Sequence, residues 1–353
     1  DAQGLTQIRR DVDSAFRNFF KKITKYPKFK KKHEKNSYRN GHPYKGEFIT
    51  QINERYIKIP KVGLVKYRQD YDFTKLNIQK VYNITIERSK TNKYYCSICM
   101  DVDIPEYEYT GEIIGIDLGI KDLLIDSNGE KYKNPKYQSK FEKKIKHLQR
   151  LYSKKIKGSK NQEKARLKLA IAHEKLSNKR KDYLHKITTK IIKENNIICI
   201  ENLSVKNMMK NHHLAKSIQD ASFGTLVSML KYKATWNNRQ IIEIGRFYPS
   251  SKTCNSCGYI NKSLTLNERE WTCPICGEHH DRDVNAAINI KNEGLRILDT
   301  QSTGRTTETG SALEKEYIAT NVAPMLVENP TMDERSLLNL KSSDSMKQED
   351  KFK

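Results

Sequence analysis

Two C-x-x-C pairs, Cys254–Cys257 and Cys273–Cys276, lie fifteen residues apart and constrain this chain more than any other feature. Four thiolates at that spacing close a tetrahedral Zn²⁺ site and leave it no open coordination position. Such a site is structural: it fixes a small ribbon and does no chemistry by itself. His279 and His280 follow directly. Four cysteines already fill the zinc shell, so both histidines are expected at the surface. The segment Asp281-Arg282-Asp283-Val284-Asn285-Ala286-Ala287 comes next and opens a helix expected to run from about Asp283 to Asn292.

Cys96 and Cys99 make another C-x-x-C, but within the strand-like Tyr94-Tyr95-Cys96-Ser97-Ile98-Cys99. Positions three apart on a strand face opposite sides, so this pair is not expected to hold a metal. Cys199 sits in an apolar strand as a core residue. Seven cysteines, four of them at zinc spacing, point to a reducing compartment rather than a disulfide framework.

The formal net charge is +24. The last 55 residues hold 10 Asp/Glu and 7 Lys/Arg, so the body to Leu298 carries 59 Lys/Arg against 32 Asp/Glu. So large an excess points to a polyphosphate partner. Lys and Tyr interleave from Tyr26 to Tyr44, which suits phosphate contacts with base stacking. No apolar run approaches 18 residues and no signal-peptide pattern is present, which argues against a membrane.

Residues 5–22 pattern as one amphipathic helix, with Ile8, Val12, Phe16, Phe19 and Phe20 at helical spacing, and a basic loop runs on to Gly46. From Phe48 to Asp103 short alternating segments predict a small antiparallel sheet or barrel, with a hairpin turn at Ser89–Asn92. Ile113-Ile114-Gly115-Ile116-Asp117 is an apolar strand ending in a carboxylate, followed by a second strand and a turn at Ser127-Asn128-Gly129. Residues 138–195 are long basic helices broken near Gly158-Ser159. Ile197-Ile198-Cys199-Ile200-Glu201 is another buried strand ending in a carboxylate; a helix over 214–238 and a strand at Ile241–Ile244 follow. The pattern is mixed α/β. From Thr300 the chain is Ser/Thr-rich and weakly patterned.

Ligands in open α/β sheets gather at strand ends. Asp117 and Glu201 occupy two such ends, and Asp283 opens the helix after the knuckles. If the fold brings them together, they form a hard oxygen cage suited to Mg²⁺ or Mn²⁺, the setting for two-ion phosphodiester hydrolysis. Taken singly, a carboxylate at a strand end or helix start is more often a cap than a metal ligand, and Asp281 is a local rival to Asp283, assigned to capping.

Gly115-Ile116-Asp117-Leu118-Gly119, Ile200-Glu201-Asn202-Leu203, Pro249-Ser250-Ser251-Lys252-Thr253-Cys254, the four-cysteine ribbon and Asp281 to Ala287 occur together and in order. Gly158-Ser159-Lys160-Asn161, Arg180 to Lys186, Lys216-Ser217-Ile218 and Tyr232-Lys233-Ala234 join them. From about residue 5 to 310 the chain resembles the TnpB (OrfB) family of transposon-encoded nucleases, related to compact type V CRISPR effectors. The resemblance implies an RNase H-like (RuvC) nuclease core with an inserted four-Cys zinc ribbon, preceded by a small antiparallel β (wedge, OB-like) domain. It implies Asp117, Glu201 and Asp283 as a catalytic, magnesium-binding triad. It also implies a guide RNA from the transposon end, a target DNA read by base pairing, and a prokaryotic, cytoplasmic, nucleoid-associated setting.

On that pattern residues 1–22 are the last helix of a recognition lobe and 23–110 the wedge domain. Residues 111–250 are the RuvC-like domain, 251–278 the ribbon, 279–298 the final RuvC segment and 299–353 a flexible tail. The family usually carries several dozen further N-terminal residues, so the chain is expected to be truncated. Lys143, Lys144, Arg150, Lys154, Lys155, Arg166, Arg180 and Lys181 are the expected nucleic-acid contacts. Two other readings use the same residues: a non-cleaving nucleic-acid-binding accessory of a transposon, and a strand-joining transposase.

Overall fold

The computed structural model describes residues 2–29, 36–41, 50–53, 55–59, 62–68, 77–103, 107–265 and 268–303. The chain divides into two units after Leu298; of the second, only residues 299–303 are described, as the end of a helix. Among the described residues no helix is long and apolar enough to cross a membrane.

The N-terminal helix α1 (Ala2–Phe20) precedes six antiparallel strands: β1 (Asn36–Gly41), β2 (Thr50–Asn53), β3 (Tyr56–Ile59), β4 (Gly63–Lys66), β5 (Ile78–Arg88) and β6 (Tyr94–Val102). They form two three-stranded sheets, ordered β1-β5-β6 and β2-β3-β4. Buried Ile57, Ile59 and Ile84 form their shared core. The turn between β5 and β6 falls where the sequence places it, with the Asn92 amide donating to the Ser89 carbonyl at 3.0 Å. Strand β1 lies within the segment read as basic loop. Its residues Asn-Ser-Tyr-Arg-Asn-Gly carry no apolar alternation. It is held instead by residue-for-residue pairing with β5 and by an ion pair from Arg39 to Asp11 of α1 at 3.1 Å. Much of the interleaved Lys/Tyr stretch, and the end of that loop, lies outside the described residues.

A third sheet has five strands: β7 (Ile113–Asp117), β8 (Asp122–Asp126), β9 (Lys131–Lys133), β10 (Ile197–Glu201) and β11 (Gln240–Ile244). Their order is β11-β10-β7-β8-β9, with β7-β8-β9 antiparallel and β7, β10 and β11 parallel. That is the topology of an RNase H-like core.

Between β9 and β10 run α2 (Tyr137–Ser153) and α3 (Lys160–Glu194), packed side by side. The break between them has a local cause. Gly158 takes a positive φ of 81°, and the Ser159 hydroxyl accepts the Gln162 amide at 3.1 Å to cap α3. After β10 come the short α4 (Val205–Met208), α5 (His212–Ala221) and α6 (Phe223–Trp236). The sequence reads α5 and α6 as one helix, but the chain breaks at Ser222, which adopts φ 56°. Buried Asp220 fixes that corner by accepting the Gln138 amide at 2.9 Å and Arg180 at 3.3 Å.

Strand alternation decides which helix lies on which face. Ile114, Ile116, Ile198 and Ile200 point toward α3 and α6, where Leu184, Ile191, Phe223, Leu226 and Leu230 meet them. Each fully buried side chain of this size contributes about 1.5–3 kcal/mol. The opposite face carries Gly115, Asp117, Cys199 and Glu201 and is covered by α7 (Arg282–Thr303), which runs eleven residues beyond the expected end. Two glycines permit that close approach. A Cβ on Gly115 would collide with the backbone of Ala287 and Lys291, and one on Gly294 with Cys199. The zinc-spaced cysteines lie between β11 and α7: Cys254 and Cys257 precede the hairpin of β12 (Glu270–Thr272) and β13 (His279–Asp281), and Cys273 and Cys276 lie in its turn.

Candidate active site and zinc ribbon

The two strand-end carboxylates are neighbours by register. Parallel pairing sets Ile200 against Ile116, so Glu201 and Asp117 stand next, side by side on the α7 face. Asp283 lies in the first turn of α7, the helix that covers that face. Burial, then the charge of Glu201, then that of Asp283 push the Asp117 carboxyl up to about 7. Asp117 is thus within electrostatic reach of both other carboxylates. The three do not form a tight cage. Among the described residues the one His/Cys/Asp/Glu group whose ligand atoms all lie within 4.8 Å of one another is the cysteine cluster.

Two of the three carboxylates are oriented by a side-chain neighbour. The buried Ser250 hydroxyl donates to Glu201 Oε1 at 2.6 Å. Arg269 donates to both oxygens of Asp283, at 3.0 and 2.9 Å. Asp281 caps α7 as expected, accepting the Asp283 and Val284 amides at 3.0 and 3.2 Å, and pairs with Lys131. Sequence reasoning missed Arg269 and Lys131, which no spacing rule marks. Ser250 was visible only as part of the Pro-Ser-Ser-Lys segment.

In the metal-free protein the raised Asp117 pKa has a definite sign. The folded value lies above the unfolded one, so its stability contribution is full below about pH 4 and is lost as pH rises through about 7. Metal-free protein should therefore lose thermal stability across that window, and Asp117→Asn should flatten the dependence. Thermal melts in chelator between pH 4 and 8 measure it. An unchanged slope in the variant would contradict the assignment.

The four sulfurs fit a zinc ion. Cys254 and Cys276 Sγ lie 3.6 Å apart, as do Cys257 and Cys273 Sγ. A tetrahedron with Zn–S near 2.3 Å needs edges of about 3.8 Å. The two knuckles are built alike. In each, a glycine after the second cysteine takes positive φ, Gly258 at 78° and Gly277 at 76°, and donates its amide to the first cysteine's carbonyl at 2.9 Å. His279 is exposed, as expected. His280 is not: it is 5% exposed, stacks against Trp271, and places Nε2 3.1 Å from Cys254 Sγ. Alternation along β13 turns one histidine out and the other in.

Helix α7 clamps the ribbon to the carboxylates. The buried Asn285 amide donates to the Thr253 carbonyl at 2.7 Å, and its oxygen accepts the Asn255 amide at 3.0 Å. Asn289 donates to the Ser250 and Thr253 carbonyls, both at 2.7 Å. The Asp-x-Asn-Ala-Ala motif therefore joins three tasks in one turn and a half: a site carboxylate, a ribbon clamp and a small face against Gly115.

Of the basic residues expected along nucleic acid, Lys143, Lys144, Arg150, Lys154, Lys155 and Lys181 are exposed on α2, α3 and the turn between them. Arg166 and Arg180 face the protein. Arg166 pairs with Glu163 and donates to the Lys90 carbonyl, while Arg180 braces Asp220. Cys96 and Cys99 are exposed on β6, and Cys199 is buried.

An RNase H-like sheet with three carboxylates on one face and a four-cysteine ribbon ahead of its last helix defines a class of α/β protein. Comparison with known proteins makes the class specific. Residues 97–212 match the OrfB_IS605 family, described as "Probable transposase", and residues 223–290 match the Cas12f1-like TNB domain. A Streptomyces pristinaespiralis protein named "Putative RNA-guided DNA endonuclease" is 36% identical over 301 residues, covering 82% of this chain and 71% of that one. The Escherichia coli K12 protein InsQ, which bears the same description, is 31% identical over 331 residues, covering 89% and 79%. A Cas12f1 structure solved by cryo-EM with sgRNA and target DNA superposes with a TM-score of 0.55 at 18% identity, covering 80% of this chain and 70% of that one; it shares the fold. The chain belongs to the TnpB (OrfB_IS605) family.

Proposed function

We propose that the chain is an RNA-guided DNA endonuclease in which Asp117, Glu201 and Asp283 hold catalytic Mg²⁺ or Mn²⁺. The observation that carries this reading is the convergence of three carboxylates on one face of a strongly basic protein. A pure binder of nucleic acid gains nothing from clustered negative charge at a place where phosphates must approach. The donor set is all hard oxygen, which fits these cations and not a soft metal. Bound there, divalent ions activate water and stabilise the leaving oxygen of a phosphodiester.

The chain's own residues prepare that chemistry. Ser250 fixes the Glu201 carboxylate by a hydroxyl hydrogen bond. Arg269 holds both oxygens of Asp283 and offsets part of the group's repulsion. Asp281 sets the start of α7 and hence the height of Asp283 over the sheet. The zinc ribbon, through Asn285 and Asn289, keeps that helix start against the strand ends. We assign the ribbon to residues 251–278 and the nuclease core to 111–250 with 279–298.

The exposed basic side of α2 and α3 would take the guide RNA backbone. If all six exposed residues neutralise phosphates, log affinity for RNA should fall with log salt at a slope of about −4 to −5. A filter-binding series from 50 to 500 mM salt measures the slope; affinity indifferent to salt would contradict the assignment. A pre-cut transposon end offered with Mg²⁺ separates hydrolysis from joining: the reading expects no strand-transfer product.

A further inference from the structure

Between β11 and the first zinc ligand the chain makes a tight turn, Gly245-Arg246-Phe247-Tyr248, closed by the Tyr248 amide donating to the Gly245 carbonyl at 3.1 Å. Both ends of the turn are fixed to the site. On one side Arg246 donates to the carbonyl and the side-chain oxygen of Asn202, each at 3.3 Å, directly after Glu201. On the other, Ser250 donates to Glu201 itself at 2.6 Å, and its carbonyl is held by Asn289 of α7. The two adjacent aromatics take opposite directions. Tyr248 folds inward, half-buried near Glu293 and Arg296 of α7, and burial raises its pKa. Phe247 stands at the tip and is 93% exposed.

A single exposed aromatic is ordinary on a protein surface. This one is set apart by its mounting: a short turn pinned at positions 246 and 250 to the residues that end β10. The turn is thereby held next to the carboxylate that ends β10, with Phe247 exposed between Arg246 and Tyr248. Aromatic faces bind unpaired bases through stacking, without regard to sequence, because every base has a π-face. A base within a duplex offers no free face, so the ring selects single strands.

We propose that Phe247 is a positioning residue that stacks a base of single-stranded DNA and so leads the strand across Asp117, Glu201 and Asp283. The inference rests on the nuclease reading, but its test does not require cleavage.

The full chain, in chelator and without divalent metal, is titrated with oligo(dT) and with an abasic oligomer of equal length. Phe247→Ala should weaken oligo(dT) binding about 5-fold or more, about 1 kcal/mol at the low end of stacking energies. It should leave the abasic oligomer's affinity and the melting temperature unchanged, since the ring packs against little. Phe247→Leu should behave like the alanine variant. Phe247→Trp should restore affinity, and its added fluorescence should be quenched by oligo(dT) and not by the abasic oligomer. Equal oligo(dT) binding by parent and Phe247→Ala would overturn the proposal, as would an unquenched Phe247→Trp. So would a preference of the Phe247-dependent site for oligo(rU). Failure of the nuclease reading would register separately, as absence of Mg²⁺-dependent cleavage in a protein whose stacking is intact.

Discussion

Cys273→Ser protein should emerge with its zinc content near zero and with cleavage activity lost, although every site carboxylate is still present. The four sulfurs are within reach of one ion, and structural zinc sites in small ribbons carry about 10–16 kcal/mol of apparent binding energy, which is also folding energy. The described part of the ribbon buries little beside the two inner cysteines, Leu264 and Trp271, too small a cluster to hold the fold unaided. Loss of the metal should release the segment whose carbonyls Asn285 and Asn289 engage, and with it the setting of Asp283. Metal analysis by mass spectrometry and hydrogen exchange over residues 250–290 test this. Full zinc occupancy in a protein lacking all four thiols would refute the assignment.

The second large effect belongs to the carboxylates. Asp117→Asn and Glu201→Gln should each lower Mg²⁺-dependent cleavage by about 10³-fold, several kcal/mol of transition-state stabilisation. Guide RNA affinity should hold, because the proposed RNA surface is the exposed basic side of α2 and α3. Calorimetric titration with Mn²⁺ should show binding to the parent and markedly weaker binding to either variant. Parent-like Mn²⁺ binding in both would remove these residues from the proposed metal site.

Much of this site was legible from the chain because its signals are local. Cysteine spacing fixes a ribbon irrespective of its surroundings, and a run of apolar residues ending in Asp or Glu marks a buried strand that carries a carboxylate at its end. What sequence could not supply was set by contacts across the fold. Strand β1 exists because β5 offers it partners, and its own residues show no strand period. Ser222 breaks a continuous helical pattern where Asp220, two residues before it, is bound by Gln138 and Arg180, 82 and 40 positions away. His280 is buried by the alternation of β13, a strand of three residues that is too short to show that alternation in sequence. Arg269 reaches Asp283 across fourteen positions, through a hairpin whose geometry only the zinc ribbon defines.

In the proposed hydrolytic centre Asp117, Glu201 and Asp283 act together, and Asp281 caps the helix. The decisive measurement is Mg²⁺-dependent cleavage of a duplex matched to the co-purified guide, comparing the parent with Asp117→Ala, Glu201→Ala, Asp283→Ala and Asp281→Ala. The expected result is loss of cleavage in the first three variants, with guide binding preserved, and a milder reduction in Asp281→Ala. Parent-rate cleavage by Asp283→Ala beside a dead Asp281→Ala, or normal cutting by all of the triad variants, would contradict it.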